Sequence, residues 1–196
     1  MNVLVVCSVP AERDALLAAG VRAPVIVGGV GPAASAAAAS AACHGAELVL
    51  CAGIGGGFGS LRPGDVAVAS SAVFADLGAE SPDGFLELDV APARYPVEPR
   101  LAVELADRTG GHLGTVLTVA TVTGTRASAD ALIARFPDAV AEGMEGAGVA
   151  AAAAVHGAAF AEVRAISNVV GPRDRDAWEI PRALAALGAA VAEVTS

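Results

Sequence analysis

Apolar segments of strand-like composition alternate with segments of helical pattern along almost the whole chain. This alternation restricts the possible folds more than any other feature of the sequence. Strands are predicted at 3–6, 24–30, 47–53, 64–74, 113–121, 139–142 and 159–166. Helices are predicted at 10–19, 31–45, 100–108, 127–135, 145–156 and 179–194. Strands and helices in this order are typical of α/β proteins, in which helices cover both faces of a largely parallel sheet.

The length of the chain and the continuity of this pattern predict a single domain over residues 1–196. A chain of 196 residues can enclose one sizeable core, and no internal repeat or linker divides it. One segment, residues 75–98, is rich in Pro, Gly and Asp and is expected to be irregular. The expected architecture is therefore α/β, with a mostly parallel, mixed central sheet flanked by helices.

Charge and hydropathy argue against two classes of partner. The net charge is −9, so we expect no binding to nucleic acid. Although 55% of the residues are hydrophobic, the excess is mostly Ala and Val. No segment has the roughly 20 strongly apolar residues that a membrane span needs. The first ten residues, MNVLVVCSVP, have no basic region and are followed at once by charged residues, so they do not resemble a signal peptide.

The cysteines and histidines show no pattern of a redox or metal site. Cys7, Cys43 and Cys51 lack CxxC spacing and fit reduced core thiols of a cytoplasmic protein. The three histidines also lack the spacing of metal ligands, both among themselves and with the cysteines. We therefore expect no metal and no organic cofactor.

Small and polar residues follow several of the predicted strands. Because the carboxyl ends of parallel strands meet at one edge of a sheet, and ligands bind there, these segments are expected to lie close together. The segments are 8–12, 29–31, 53–57, 121–125, 144–145 and 167–168.

Two of these segments are rich in glycine. GGVGPAA (28–34) contains a partial dinucleotide-binding motif, but the nearest acid, Glu47, begins the next strand instead of ending it. A tight strand-to-helix turn is therefore favoured over NAD binding. AGIGGGFG (52–59) lacks the Lys-Ser/Thr of a P-loop. A flexible loop and a ligand cradle of backbone N–H groups both remain open there.

Two glutamates lie where predicted helices begin, Glu12 after the first strand and Glu145 within GMEGAG (143–148). Each could simply complement the dipole of its helix. In functional terms, Glu12 could orient and deprotonate a water molecule. Glu145 could accept hydrogen bonds from two adjacent ribose hydroxyls.

The motifs, taken in order, resemble the nucleoside phosphorylase superfamily, which includes purine nucleoside phosphorylases and methylthioadenosine/S-adenosylhomocysteine nucleosidases. The similarity runs through VGGVGPAAS, LCAGIGGGFGSLRPGDVAVAS and FPDAVAEGMEGAGVAAAAAVHGAAFAEVRAISN, and covers nearly the whole chain. No single motif is specific, but their combination in this order is. The resemblance implies a nucleoside phosphorylase-like fold, a small-molecule nucleoside substrate and a homo-oligomer.

On the sugar side, the resemblance implies roles for three segments. Glu12 corresponds to the acid that activates the attacking water in the nucleosidases. The backbone at Gly53, Ile54, Gly55 and Gly56 is implied to face the ribose and the nucleophile. Of the three residues Gly143, Met144 and Glu145, Met144 is implied to lie under the sugar and Glu145 to hold its hydroxyls.

On the base side, Ser167 and Asn168 correspond to the pair that recognises the purine. Trp178 falls where the nucleosidases carry an aromatic residue that closes over the base. Val122 stands where they have a purine-stacking Phe, so no ring is expected to stack there. The arginine-bearing phosphate site of the phosphorylases has no match, and Arg13 and Arg126 have no assigned role.

Asn168 also indicates which purine is bound, because the nucleosidases have Asp at this position. Adenine presents a donor at its 6-amino group and an acceptor at N1, whereas hypoxanthine presents the reverse. An Asn side chain offers one donor and one acceptor at the same time, which suits a 6-oxopurine.

The segment RAISNVVGPRDRDAW after GMEG is similar to the futalosine hydrolase branch of the superfamily. That branch cleaves the N-glycosidic bond of futalosine to dehypoxanthine futalosine and hypoxanthine, in menaquinone biosynthesis. Residues 75–98 could then enclose the 5′ substituent. A purine nucleoside phosphorylase, a methylthioadenosine nucleosidase and a non-catalytic nucleoside-binding protein remain as alternatives.

Overall fold

The computed structural model describes residues 2–82, 84–88 and 93–195. Helices are found at α1 (Pro10–Ala18), α2 (Pro32–Ala42), α3 (Pro99–Thr109), α4 (Arg126–Arg135), α5 (Gly146–Val155) and α6 (Ile180–Thr195). The longer strands are β1 (Val3–Cys7), β3 (Leu48–Gly57), β4 (Val66–Phe74), β8 (His112–Thr118), β9 (Ala139–Gly143) and β10 (Ala159–Val169). The shorter strands are β2 (Val25–Val27), β5 (Gly78–Ser81), β6 (Gly84–Glu87) and β7 (Arg94–Pro96).

The central sheet is mixed and mostly parallel, as the alternating pattern predicted. Strand β1 pairs in parallel with β2 and β3, β3 with β10, and β8 with β4 and β9. The antiparallel pairs are β10–β4, β3–β9 and β4–β7. The predicted α/β fold with flanking helices is confirmed.

Part of the sheet closes on itself, which the strand pattern did not indicate. The long strand β3 pairs with β10 along its whole length on one side. On the other side its first half, Leu48–Cys51, pairs with β1, and its last residues, Gly56 and Gly57, pair with β9. Strands β3, β10, β4, β8 and β9 therefore form a closed ring, and β1 and β2 extend from it.

Small residues allow the helices to approach the sheet and one another closely. In α5 the buried residues are all Gly, Ala or Val. A Cβ atom at Gly148 would lie 2.3 Å from the Pro32 carbonyl oxygen at the start of α2, so no larger residue fits this contact. The low-complexity Ala pattern is thus a packing requirement of two touching helices.

Two strands run further than the sequence indicated. For residues 53–57 the sequence allowed either a flexible loop or a ligand cradle. In the structure they continue β3 as a strand, because β10 and β9 supply hydrogen-bond partners on both sides. Strand β10 was expected to stop at Ser167-Asn168 but continues to Val169, with a bulge between Ile166 and Asn168. The bulge redirects the side chains at the place where the strand passes the cavity.

The segment 75–98 is less irregular than its composition suggested. It contains the hairpin β5–β6 and the short strand β7, which pairs with β4. The prediction of irregular structure was wrong for these residues, while Asp83 and residues 89–92 lie outside the described part. Among the helices of the described residues, none combines the length and apolar character needed to cross a membrane.

Candidate active site

A cavity of about 290 Å³ opens beside the carboxyl ends of β1, β3, β9 and β10. All but one of the residues predicted for the site line it: Glu12, Ile54, Gly55, Gly56, Val122, Gly143, Met144, Glu145, Ser167, Asn168 and Trp178. The lining also includes Ser8, Val9, Val30 and Thr123, which lie in the predicted strand-end segments but had no individual role assigned, and Glu142 and Val170, which lie outside those segments. The segments predicted to meet at this edge of the sheet therefore do meet.

The carboxylate of Glu12 is held rigidly at one wall of the cavity. Glu12 lies in the first turn of α1, and it is only 2% exposed. Its Oε2 accepts hydrogen bonds from the backbone N–H groups of Ser8 at 2.8 Å and Val9 at 3.3 Å. Its Oε1 accepts one from the N–H of Ile54 at 2.9 Å. With about four acceptor positions on a carboxylate, one position on Oε1 remains open.

Gly53 is the predicted residue that does not line the cavity, because it lies behind the charged groups. A Cβ atom at this position would stand 2.9 Å from Oε1 of Glu12 and 2.6 Å from Nη1 of Arg164. Gly53 therefore leaves room for two charged side chains to approach β3, which is a structural reason for glycine independent of any ligand.

Glu145 is the N-cap residue of α5, and its carboxylate joins three segments of the chain. Oε1 accepts a hydrogen bond from the N–H of Gly31 at 3.2 Å, and Oε2 accepts one from the N–H of Met144 at 3.3 Å. Arg164 Nη1 forms a buried ion pair with Oε2 at 3.0 Å. The turn in GGVGPAA thus supplies a backbone donor to this carboxylate, and the structure gives that turn a role other than dinucleotide binding.

Arg164 was missed by the sequence analysis, although it connects much of the site. It is 1% exposed, and its Nε also pairs with Oε1 of the fully buried Glu162 at 2.8 Å. Its Nη2 donates to the Cys51 thiol at 3.2 Å. Burial by itself would lower the pKa of Arg164, but Cys51, Glu162 and Glu145 raise it well above its ordinary value. Two charges two residues apart in the apolar run FAEVRAIS were the signal that could have identified this network.

Glu142 is a further residue of the site that the sequence analysis missed. It lies in β9, lines the cavity and is 5% exposed. The N–H of Thr123 donates to Oε1 at 2.9 Å, and the Thr123 hydroxyl donates to Oε2 at 2.5 Å. Desolvation raises the pKa of Glu142, and the hydrogen bonds from Thr123 partly oppose that shift. A charge at the end of the short apolar strand AVAE was the available signal.

Ser167 and Asn168 lie side by side on the bulged part of β10. The Ser167 hydroxyl lies 2.8 Å from Asn168 Oδ1 and 3.1 Å from the Gly55 carbonyl oxygen, and it can donate to either. The Nδ2 of Asn168 donates to the Val169 carbonyl at 3.1 Å. One amide hydrogen and one acceptor position of Asn168 are therefore not occupied by these contacts, and the residue lines the cavity.

Trp178 reaches the cavity from the segment before α6. The next residue, Glu179, donates its N–H to the Ser167 carbonyl at 2.9 Å, which ties this segment to β10. The guanidinium carbons of Arg173 and Arg175 each lie 5.9 Å from the Trp178 ring centroid. A second cavity, which Asn168 and Trp178 also line, is lined in part by Arg126.

Two unassigned features of the sequence lie away from the main cavity. Arg13 pairs with its neighbour Asp14 at 2.8 Å and does not line the cavity. None of the described residues of 75–98 lines it either. The expectation that this segment encloses a 5′ substituent is therefore not supported by the described residues of this chain.

Comparison with known proteins identifies the family. Residues 15–196 match the Phosphorylase superfamily. The chain is 45% identical over 223 aligned residues to a futalosine hydrolase of Streptomyces coelicolor, an alignment that covers 99% of this chain and 95% of that one. It is 49% identical over 159 residues to a futalosine hydrolase of Acidothermus cellulolyticus, covering 74% of this chain and 65% of that one.

A solved structure agrees with this result at the level of the fold. The 5′-methylthioadenosine/S-adenosylhomocysteine nucleosidase of Neisseria meningitidis, in complex with methylthio-immucillin-A, superimposes with a TM-score of 0.86. The match covers 99% of this chain and 98% of that one, at 20% sequence identity. The chain belongs to the phosphorylase superfamily and, within it, to the futalosine hydrolase family, as its motifs predicted.

Proposed function

We propose that this protein hydrolyses the N-glycosidic bond of futalosine, releasing hypoxanthine and dehypoxanthine futalosine as a step toward menaquinone. The observation that carries this proposal is the identity of 45% to a futalosine hydrolase over 99% of the chain. It is supported by the cavity, in which a rigidly held carboxylate and an Asn-containing polar pair line one space.

Glu12 has the geometry of a residue that positions a water molecule. Three backbone N–H groups fix its carboxylate, so the one open acceptor position on Oε1 has a defined direction. A water that donates to this position is oriented, and Glu12 takes its proton as the bond to the sugar forms. The fixed side chain needs no reorganisation at that moment.

Glu145 holds the sugar in this proposal. Gly31, Met144 and Arg164 occupy three of its acceptor positions, so one position on Oε1 remains for a ribose hydroxyl. This is one direct contact to a hydroxyl, where the sequence analysis expected two. Met144, which also lines the cavity, supplies apolar contact to the sugar.

Asn168 stabilises the leaving base. The ribosyl group develops oxocarbenium character as the bond to the purine lengthens, and negative charge accumulates on the base. The departing base takes up one proton from solvent to become hypoxanthine, which balances the proton that Glu12 takes from water and returns to solvent. The free amide hydrogen of Asn168 donates to that charge, and the Ser167 hydroxyl helps to orient the amide. A fixed donor of this kind contributes about 10²–10³ in rate.

The decisive experiment is incubation of the protein with futalosine, inosine and methylthioadenosine, each with and without phosphate, followed by detection of free base and sugar. We expect rapid release of hypoxanthine from futalosine at a rate independent of phosphate, with a free hemiacetal as the sugar product. Recovery of a sugar 1-phosphate would instead place the protein among the phosphorylases. Binding of the nucleoside without release of base would favour the non-catalytic alternative.

Three expectations accompany this proposal and stay predictions. They are the cytoplasmic location, the assembly into a homo-oligomer and the organisation of residues 1–196 as one domain.

A further inference from the structure

Glu142 contributes a carboxylate to the cavity that the proposed mechanism does not use. Its position relative to Asn168 follows from the pairing of the strands. Gly56 of β3 is the register partner of Asn168 in β10 and also of Glu142 in β9. Register partners on neighbouring strands direct their side chains to the same face of a sheet. Asn168 and Glu142 therefore flank Gly56 on one face, with their backbones about 10 Å apart, which is twice the usual strand spacing.

The absence of a side chain at Gly56 keeps the space between these two residues open. All three residues line the cavity. A Cβ atom at Gly56 would lie 2.6 Å from Val170 Cγ2 and 3.4 Å from Nδ2 of Asn168, so a larger residue would intrude on the amide. The cavity thus has an amide on one side and a carboxylate on the other.

The contacts of Glu142 define what it can recognise. Thr123 donates to both carboxylate oxygens, one through its N–H and one through its hydroxyl. These donors oppose the upward pKa shift that burial gives Glu142 and favour its carboxylate form, and a carboxylate has acceptor positions left but no hydrogen to donate. A group that faces Glu142 in the cavity must therefore be a hydrogen-bond donor.

The ring of a 6-oxopurine carries such a donor at N1, whereas the N1 atom of a 6-aminopurine is an acceptor. We propose that Glu142 is a specificity-determining residue that accepts a hydrogen bond from N1–H of the 6-oxopurine, opposite Asn168. This inference rests on the proposed function and extends it to the recognition of the base. An adenine in the same place would direct the lone pair of N1 at a carboxylate, so Glu142 rejects 6-aminopurines.

The first test compares the wild-type protein with Glu142→Gln. The amide keeps the shape of the side chain but can donate to the N1 atom of an adenine. The substrates are futalosine and its 6-amino counterpart, and the measurement is the ratio of their kcat/KM values. We expect this ratio to fall by at least about 10²-fold, which is part of the roughly 10⁴–10⁵-fold by which a site built around one hydrogen-bond pattern can reject the other. Glu104→Gln, the same change at an exposed position of α3, should leave the ratio unchanged.

The second test uses free bases, so that it does not depend on turnover. Calorimetric titration should show that the wild-type protein binds hypoxanthine much more tightly than 1-methylhypoxanthine, which lacks the N1 hydrogen. Glu142→Ala removes the acceptor and makes room for the methyl group, so its discrimination between the two bases should fall at least 10-fold or reverse. Thr123→Val should give an intermediate loss, because one of the two donors that orient the carboxylate is removed.

The outcomes separate this inference from the proposed function. If wild-type protein releases no base from futalosine, the proposed function fails, while the titrations still decide the role of Glu142. If futalosine is hydrolysed but Glu142→Gln and Glu142→Ala keep the wild-type preference between bases, Glu142 does not read N1. Loss of all base binding in variants whose melting temperatures are at least as high as that of the wild type would likewise overturn a role limited to specificity.

Discussion

At the scale of single residues, the cavity is built around carboxylates whose oxygens are largely occupied by protein donors. Glu12 and Glu145 each accept three hydrogen bonds from the chain. Most of these donors are backbone N–H groups, which cannot rotate away as side chains can. The remaining acceptor positions are therefore fixed in direction before any substrate arrives, which is the arrangement expected of groups that act on a developing charge.

Replacing Glu12 by Gln tests the role of the fixed carboxylate. The amide has nearly the same shape, but it cannot take a proton from water. We expect turnover of futalosine to fall by at least about 10²-fold, as for loss of a general base, with binding of hypoxanthine retained. Steady-state kinetics and calorimetric titration measure the two effects. Turnover at the wild-type rate would show that Glu12 does not activate water.

Replacing Asn168 by Asp tests the base-reading pair. The shape is kept, but the amide hydrogen that none of the described residues accepts is lost. Activity on 6-oxopurine nucleosides should drop by at least about 10²-fold, and any gain should appear on 6-aminopurine nucleosides. Parallel kcat/KM measurements on futalosine and its 6-amino counterpart would reveal this exchange. An unaltered preference in a correctly folded variant would contradict the role.

At the scale of secondary-structure elements, β3 is the element on which the site depends. Its first half is a buried apolar strand, and its second half is a run of glycines that still pairs on both sides. The glycines are required by close contacts with neighbouring strands. A Cβ atom at Gly55 would lie 2.5 Å from the Glu142 carbonyl oxygen, and backbone cannot yield as a flexible side chain does.

This contact predicts that Gly55→Ala separates β3 from β9 locally. We expect the variant to lose roughly 1–3 kcal/mol of stability, the usual cost of overpacking a tight site, and to lose activity because Glu142 and Ile54 move. Thermal unfolding and turnover are the two measurements. Gly124→Ala is the matched control, because a Cβ atom there meets its nearest neighbour, Arg173 Cβ, at an ordinary 3.7 Å. If Gly55→Ala has the same melting temperature as the control, β3 and β9 can accommodate a methyl group at this position without loss of stability.

At the scale of the whole molecule, the site lies where distant parts of the chain meet, and this brings buried acids together in the cavity wall and in the sheet next to it. Burial raises the pKa of both Glu142 and Glu162. For Glu162 the charge of Arg164 partly opposes that effect. A raised carboxyl pKa means that the folded state holds its proton more tightly than the unfolded state, so ionisation of these groups lowers the free energy of unfolding as pH rises.

This linkage predicts that Glu142→Gln is more stable than the wild-type protein at pH 7, because the neutral amide avoids the cost of a buried charge. The advantage should shrink as pH falls toward about 4.3, the ordinary pKa of Glu, where the wild-type side chain is also neutral. Melting temperatures of both proteins between pH 4 and pH 8, without ligand, measure the effect. A variant less stable than wild type at pH 7 would mean that Glu142 is a structural residue retained for stability.

The sequence by itself determined the local features of this protein. Patterns within a few residues predict the order of strands and helices and the small residues of α5. They also predict that Glu12 lies in a first helical turn and that Glu145 lies at the start of a helix. Such patterns are legible because helix and strand periodicities act between close neighbours in the chain. The order of the motifs also sufficed to indicate the family.

Only the tertiary structure decided which groups face one another. Three contacts join residues far apart in sequence. They are the pairing of β3 with β10 and β9, the ion pair between Arg164 and Glu145, and the position of Glu142 across from Asn168. A charged residue in an apolar strand could mean an edge strand, a segment that is not a strand at all, or a buried ion pair. Local periodicity does not identify the partner of such a residue. The partner is selected by burial, since a charge is kept in a core only where an opposite charge or a set of donors meets it.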